Sequence, residues 1–174
     1  ETAGFLDLDI EVPKSCVIDI GYGEHLKDGR CRTAVRNFTA QIGCRAGQNN
    51  YMNTFRRFGC RYVQMFAPVE SIKVNYLGIR PTVYPLEVNN YKGKNELRRK
   101  VWDVCINPLR LCMHEHYEDT PWREQALYTM DSRNQMLSGY YAFGKFEFPR
   151  ASLILISKGV RDDGLLSLCY PAGL

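Results

Sequence analysis

The stretch "VNNYKGKN", residues 88–95, divides the sequence into two halves of different texture. Upstream of it, short apolar or alternating runs are rich in Val, Ile, Tyr and Phe: "GFLDLDI" (4–10), "SCVIDIGYG" (15–23), "AVRNFTAQIGC" (34–44), "RYVQMFAP" (61–68), "ESIKVNYLGI" (70–79) and "PTVYPLEV" (81–88). Such residues suit a pleated, half-buried surface, and strict alternation puts one face in the core. Gly21 and Gly23, Asp28-Gly29, Gly47 with Asn49-Asn50, and Pro81 punctuate the runs with turn residues. Short strands at this spacing predict an antiparallel β-sandwich over residues 1–90.

Downstream the period changes from two to between three and four. Leu97, Val101, Val104 and Cys105, followed by Pro108, predict one helix after a linker. Asp119-Thr120-Pro121 has the form of a helix start: a capping residue, then a proline in the first turn, where its missing N–H costs nothing. The predicted helix runs from Pro121 to about Ala142 and ends near Gly144; a third spans about Glu147 to Lys158 and closes at Gly159. Residues 91–174 are thus expected to form the first part of a helical bundle or barrel. The fold class is α+β, with two domains.

Composition narrows the functions. With 45% apolar and 12% aromatic residues, the 174-residue chain is globular. No apolar run approaches the roughly 18 residues of a membrane helix, the longest being Ala151 to Ser157. The net charge of +4 is mild, and no basic stripe interleaved with aromatics points to nucleic acid. "ELRRK" at 96–100 reads as the solvated face of a helix. Seven cysteines without a CxxC pair read as mostly reduced and buried. The opening "ETAGFLDLDI" has neither an initiator methionine nor the basic start and apolar core of a signal peptide, so the chain reads as cut from a longer protein.

The densest chemistry lies in "HEHYEDTPWREQALYTMD", residues 114–131. On a helix beginning at Pro121, Glu124, Tyr128, Asp131 and Gln135 form one polar stripe within roughly 60°. Ala126, Met130, Leu137 and Tyr141 form an opposite face able to pack. One reading is a solvated face, with Asp119 a cap and Arg123 a salt-bridge partner. The other is sugar hydrolysis, which needs one carboxyl to keep a proton for the leaving oxygen while another stays ionised; crowding of like charges does that tuning. A metal reading rests on His114, Glu115, His116, Glu118 and Asp119, but His-x-His without a third histidine is a weak zinc signal and HExxH is absent. Calcium held by carboxylates and carbonyls is the other metal option. No metal or cofactor is assigned. Cys112, near both histidines, lacks the setting of a nucleophile and reads as core.

These same residues carry a resemblance. "EDTPWREQALYTMD" resembles the Asp-Cys-Pro-x-Arg-Glu signature of bacterial α-L-rhamnosidases, glycoside hydrolases whose catalytic domain is a six-hairpin (α/α)₆ barrel preceded by a β-sandwich. In that family a glutamate acting as general acid follows the signature aspartate by five residues, and a second aspartate follows by about twelve. Asp119, Glu124 and Asp131 stand at those offsets. "DIGYGEHLKDGR", "FRRFGCRYVQMF" and "VYPLEV" resemble the preceding sandwich, "NELRRKVWDVCINPLRLC" the first barrel helix, and "SGYYAFG" with "ASLILISKGVRDDGLLSLCYPAG" the next helices and their loop. Thr120 stands where cysteine is usual, and Trp122 and "QALY" also depart from the pattern.

The resemblance implies inverting hydrolysis of α-L-rhamnosides or related glycosides, with an oligosaccharide or rhamnoside as substrate. Glu124 would be the general acid, with Asp119 and Asp131 beside it in the catalytic group. Arg123, Trp122 and Tyr128 would bind substrate. The general base would come from a later helix, in the missing remainder of the parent chain. The alternative is a non-catalytic carbohydrate-binding or structural β-sandwich module.

Overall fold

A computed structural model describes residues 1–33 and 37–171. The first residues of "AVRNFTAQIGC" and the last of the terminal stretch fall outside the described residues, at 34–36 and 172–174. The chain is α+β, with antiparallel sheets followed by three helices, and it separates into two compact units, Glu1–Thr82 and Val83–Leu174.

The first unit contains two three-stranded sheets. In one, β1 (Thr2–Val12) lies between β6 (Gly47–Cys60) and β8 (Lys73–Pro81); in the other, β2 (Cys16–Gly23) lies between β5 (Thr39–Cys44) and β7 (Tyr62–Phe66). Every pairing is antiparallel. Alternation decides the faces. Leu6, Leu8, Ile10 and Val12 of β1 and Ile18, Ile20 and Tyr22 of β2 are buried, whereas the intervening Asp7, Asp9, Glu11, Val17 and Asp19 are not. Each fully buried aliphatic contributes about 1.5–3 kcal/mol relative to exposure. Tyr22 of the second sheet stacks on Phe58 of the first, centroids 3.9 Å apart and 13° from parallel, so inner faces of the two sheets meet there, as in a β-sandwich. On the outer face of β1, Asp7 accepts from the Arg80 guanidinium and Asp9 from the Gln48 and Asn75 amides.

The Asp28-Gly29 signal resolves as a two-residue hairpin turn between β3 (Leu26–Lys27) and β4 (Arg30–Cys31), both residues having positive φ (52° and 74°). Two sequence expectations fail. Gly47, Asn49 and Asn50 do not end a strand but begin β6, whose polar side chains are carried on a long pairing with β1. "PTVYPLEV" is not a strand: beyond Pro81 the chain has no ladder, and Tyr84 donates its N–H to the Met113 carbonyl in the second unit. Pro85 has no N–H to give to a sheet.

The second unit holds α1 (Glu96–Leu111), α2 (Thr129–Ala142) and α3 (Glu147–Ser157). Asn95 caps α1, its Oδ1 accepting from Arg98 N at 3.0 Å. Pro108 lies inside α1, which continues past it to Leu111. The core gathers Met113, Tyr117, Leu127, Met136, Ala142, Phe143, Phe148 and Ile156, with Tyr84 and Leu86 packed against it. α3 matches its predicted start at Glu147. α2 does not: it begins at Thr129, because Pro121 to Glu124 form only a turn and the chain then leaves helical geometry.

Candidate functional site

The late start of α2 replaces the helical stripe with a folded loop. Glu124 and Tyr128 precede the helix, so Glu124, Tyr128, Asp131 and Gln135 do not share a helix face. The face expected to pack is also turned outward, since Met130, Leu137 and Tyr141 are exposed; α2 instead buries Ser132, Met136, Gly139 and Ala142.

The loop is closed by its own polar groups. Asp119 N donates to the Ala126 carbonyl and Asp119 Oδ1 accepts from Ala126 N, each at 3.0 Å, so one residue bolts both ends. Thr120 Oγ1 accepts from Arg123 N, and Gln125 Nε2 donates to the Pro121 carbonyl at 2.7 Å. Gln125 takes φ 53°, the left-handed turn that ends the helical start. On the far side, Thr129 N donates to the Leu168 carbonyl and Tyr128 bridges to Cys169, which pins the first residue of α2.

Within this loop the Asp119 and Glu124 carboxyls share a hydrogen bond. Burial pushes the Asp119 carboxyl above the usual carboxylate range; the Glu124 hydrogen bond and charge add to the rise, and the Ala126 and Thr120 N–H groups oppose it. Arg123 Nη2 lies 3.8 Å from Glu124 Oε2. Crowding of two carboxyls in a part-buried loop favours the protonated form of Asp119.

Of the residues singled out in the sequence, the fold therefore brings Asp119, Arg123 and Glu124 together. Asp131 is exposed in the first turn of α2 and, among the described residues, its side chain makes no hydrogen bond or ion pair. Trp122 is buried, 8% exposed, and Tyr128 is half-buried at the helix start. His114 and His116 turn to backbone carbonyls: His114 Nε2 lies 2.9 Å from Leu111 O, and His116 Nδ1 lies 2.7 Å from Tyr117 O.

One feature was not legible in advance. His114 and Glu118 both have fully buried side chains, with Nε2 and Oε2 3.7 Å apart. Gln135 of α2 donates to the Glu118 carbonyl at 2.6 Å, tying the strand of chain before Asp119 to the helix. The i,i+4 spacing suggests a helix pair, whereas here a tight reversal between Met113 and Tyr117 brings the two together.

No family model and no curated protein matches this sequence. Solved structures do. A GH78 family rhamnosidase from Bacillus sp. GL1 superposes with a TM-score of 0.87 and 27% identity over 98% of this chain and 18% of that one. A rhamnosidase from Klebsiella oxytoca, solved with rhamnose bound, gives 0.81 and 18% identity over 97% of this chain and 36% of that one. An α-L-rhamnosidase from Aspergillus terreus gives 0.71 and 20%. The chain thus has a fold related to that of glycoside hydrolases and spans from 18% to 36% of the length of these neighbours.

Proposed function

We propose that the chain is a segment of an inverting α-L-rhamnosidase-like glycosidase, joining the end of a β-sandwich (1–90) to the start of a six-hairpin (α/α)₆ catalytic domain (91–174). Glu124 is the general acid that protonates the leaving oxygen. Asp119 tunes it, and Arg123 stands beside Glu124; Asp131 is assigned to sugar hydroxyls or water, and Arg123, Trp122 and Tyr128 to substrate binding, on the resemblance of the motif. The observation that carries this reading is the Asp119–Glu124 contact on a bolted loop: burial and the neighbouring Glu124 hold the Asp119 carboxyl above the usual carboxylate range, and a crowded carboxyl pair is what general-acid catalysis draws on. The similarity to rhamnosidases extends over both units, which disfavours a non-catalytic β-sandwich module as the whole account.

An inverting enzyme needs a second carboxylate roughly 6.5–9.5 Å from the acid to activate water. In this proposal it lies beyond these residues, so the isolated chain has little or no hydrolytic activity alone. Azide can replace the activated water, because it attacks without general-base help. With a methylumbelliferyl rhamnoside, azide-dependent release that disappears in Glu124→Gln is the expected result. No release with azide overturns the acid assignment; robust turnover without azide, abolished by Glu124→Gln, overturns the placement of the base.

A further inference from the structure

The pairing of β2 with β5 sets Cys16 directly opposite Cys44. Residues facing each other across an antiparallel pair project to the same side, and in these strands that side carries Ile18, Ile20 and Ile42 into the core. The two thiols are therefore neighbours at one end of a buried row. Opposed residues have Cα atoms about 4.5 or 5.5 Å apart, depending on the hydrogen-bonding position, and both spacings fall within the roughly 4.4–6.8 Å that a disulfide spans. Neither cysteine is bonded in this structure. Their accessibility differs: Cys44 is buried, with its Sγ 3.8 Å from the Ile42 carbonyl, whereas Cys16 is half-exposed.

We infer that Cys16 and Cys44 form an oxidisable dithiol, closed to a cross-strand disulfide by exchange with a low-molecular-weight disulfide. The accessible Cys16 thiolate attacks one sulfur of the reagent, forming a mixed disulfide and expelling the other half as thiolate. Cys44, having lost its proton to solvent, then attacks Cys16 Sγ and expels the second half. The protein loses two electrons and two protons, and the reagent becomes two thiols. The order of attack follows from access and from the Cys44 thiol, which burial, and then the neighbouring Cys16, push above the ordinary range. The product would staple β2 to β5 around the β3–β4 hairpin, closing a loop in the unfolded chain and so raising the stability of the first unit.

The test is non-reducing peptide mapping of the folded chain after equilibration with oxidised glutathione. A Cys16–Cys44 linked peptide, a glutathione adduct on Cys16 that accumulates in Cys44→Ser, and a melting temperature of the first unit raised by several degrees and returned by dithiothreitol are expected. A stable glutathione adduct on Cys16 of the wild-type chain, or no modification of either residue while exposed Cys105 reacts, would overturn the proposal. Cys16→Ser with Cys44→Ser, which removes only two sulfurs, should fold and lose the redox-dependent shift; a shift that persists would assign it to other cysteines.

Discussion

The two units complete their cores by different means. In the first, strand alternation buries Leu6, Leu8, Ile10, Ile18, Ile20 and Phe58 essentially completely, because each strand finds hydrogen-bonded neighbours within the unit. In the second, a compact core around Tyr117, Leu127 and Phe148 coexists with helices that leave large apolar residues on the surface: Leu97 is 72% exposed and Val104 71%. Between α2 and α3, an open groove of about 320 Å³ is lined by Met136, Leu137, Tyr140, Leu153, Ile156 and Leu166, among others. The comparison teaches that a sheet face can be filled by its own hairpins, whereas a helix has apolar positions around more of its circumference than two partners cover. The second unit is held less by helix against helix than by the loops at 112–128 and 166–169 that tie them.

That contrast can be broken most severely at buried residues which belong to one unit alone. His114→Ala removes an imidazole beside the fully buried Glu118 carboxyl, and a loss of about 3–5 kcal/mol is expected. Phe148→Ala, which takes away the ring packed on Tyr84 and Tyr117, should cost a similar amount, about 3–5 kcal/mol. In denaturant titrations followed by residue-resolved hydrogen exchange, both should weaken the second unit and leave β1 and β2 protected. Loss of protection in both units would erase the distinction.

Next is Gly4→Ala in the first unit. A Cβ there falls on the backbone carbonyl of Arg80, which a strand pairing cannot move aside, so about 2–3 kcal/mol should be lost from the first unit only. By contrast, Val104→Ser on the exposed face of α1 should change stability by no more than about 0.5 kcal/mol. A large loss there would mean that this face is covered in solution.

A smaller effect sharpens the site. The Asp119 carboxyl has a raised pKa in the folded state, so between its unfolded and folded values the native state binds more protons than the unfolded one. Its contribution to stability is full below the unfolded pKa and is lost as pH rises through the folded one. Asp119→Asn should flatten that part of the stability profile of the second unit, measured by thermal melts over the mildly acidic range. An unchanged slope would assign the dependence elsewhere. Least disruptive is a labelling comparison: burial pushes the Cys60 thiol up to about 11, so iodoacetamide near neutral pH should modify exposed Cys105 well before Cys60.

The sequence by itself determined the change from strands to helices, the alternating faces of β1 and β2, the turn at Asp28-Gly29 and the start of α3. These rest on interactions between residues close along the chain, or on periodicity that any core would exploit. It also marked Asp119, Arg123 and Glu124 as neighbours. What only the tertiary structure decided was how they are neighbours. Asp119-Thr120-Pro121 supplies every local condition for starting a helix, and one turn does form. Whether that turn propagates depends on distant groups, and here Leu168, Cys169 and the burial of Leu127 hold the chain in a loop until Thr129. The same holds for His114 and Glu118, which a long-range core encloses. Capping signals report where a helix can begin; the side chains that must be buried on either side settle whether it does.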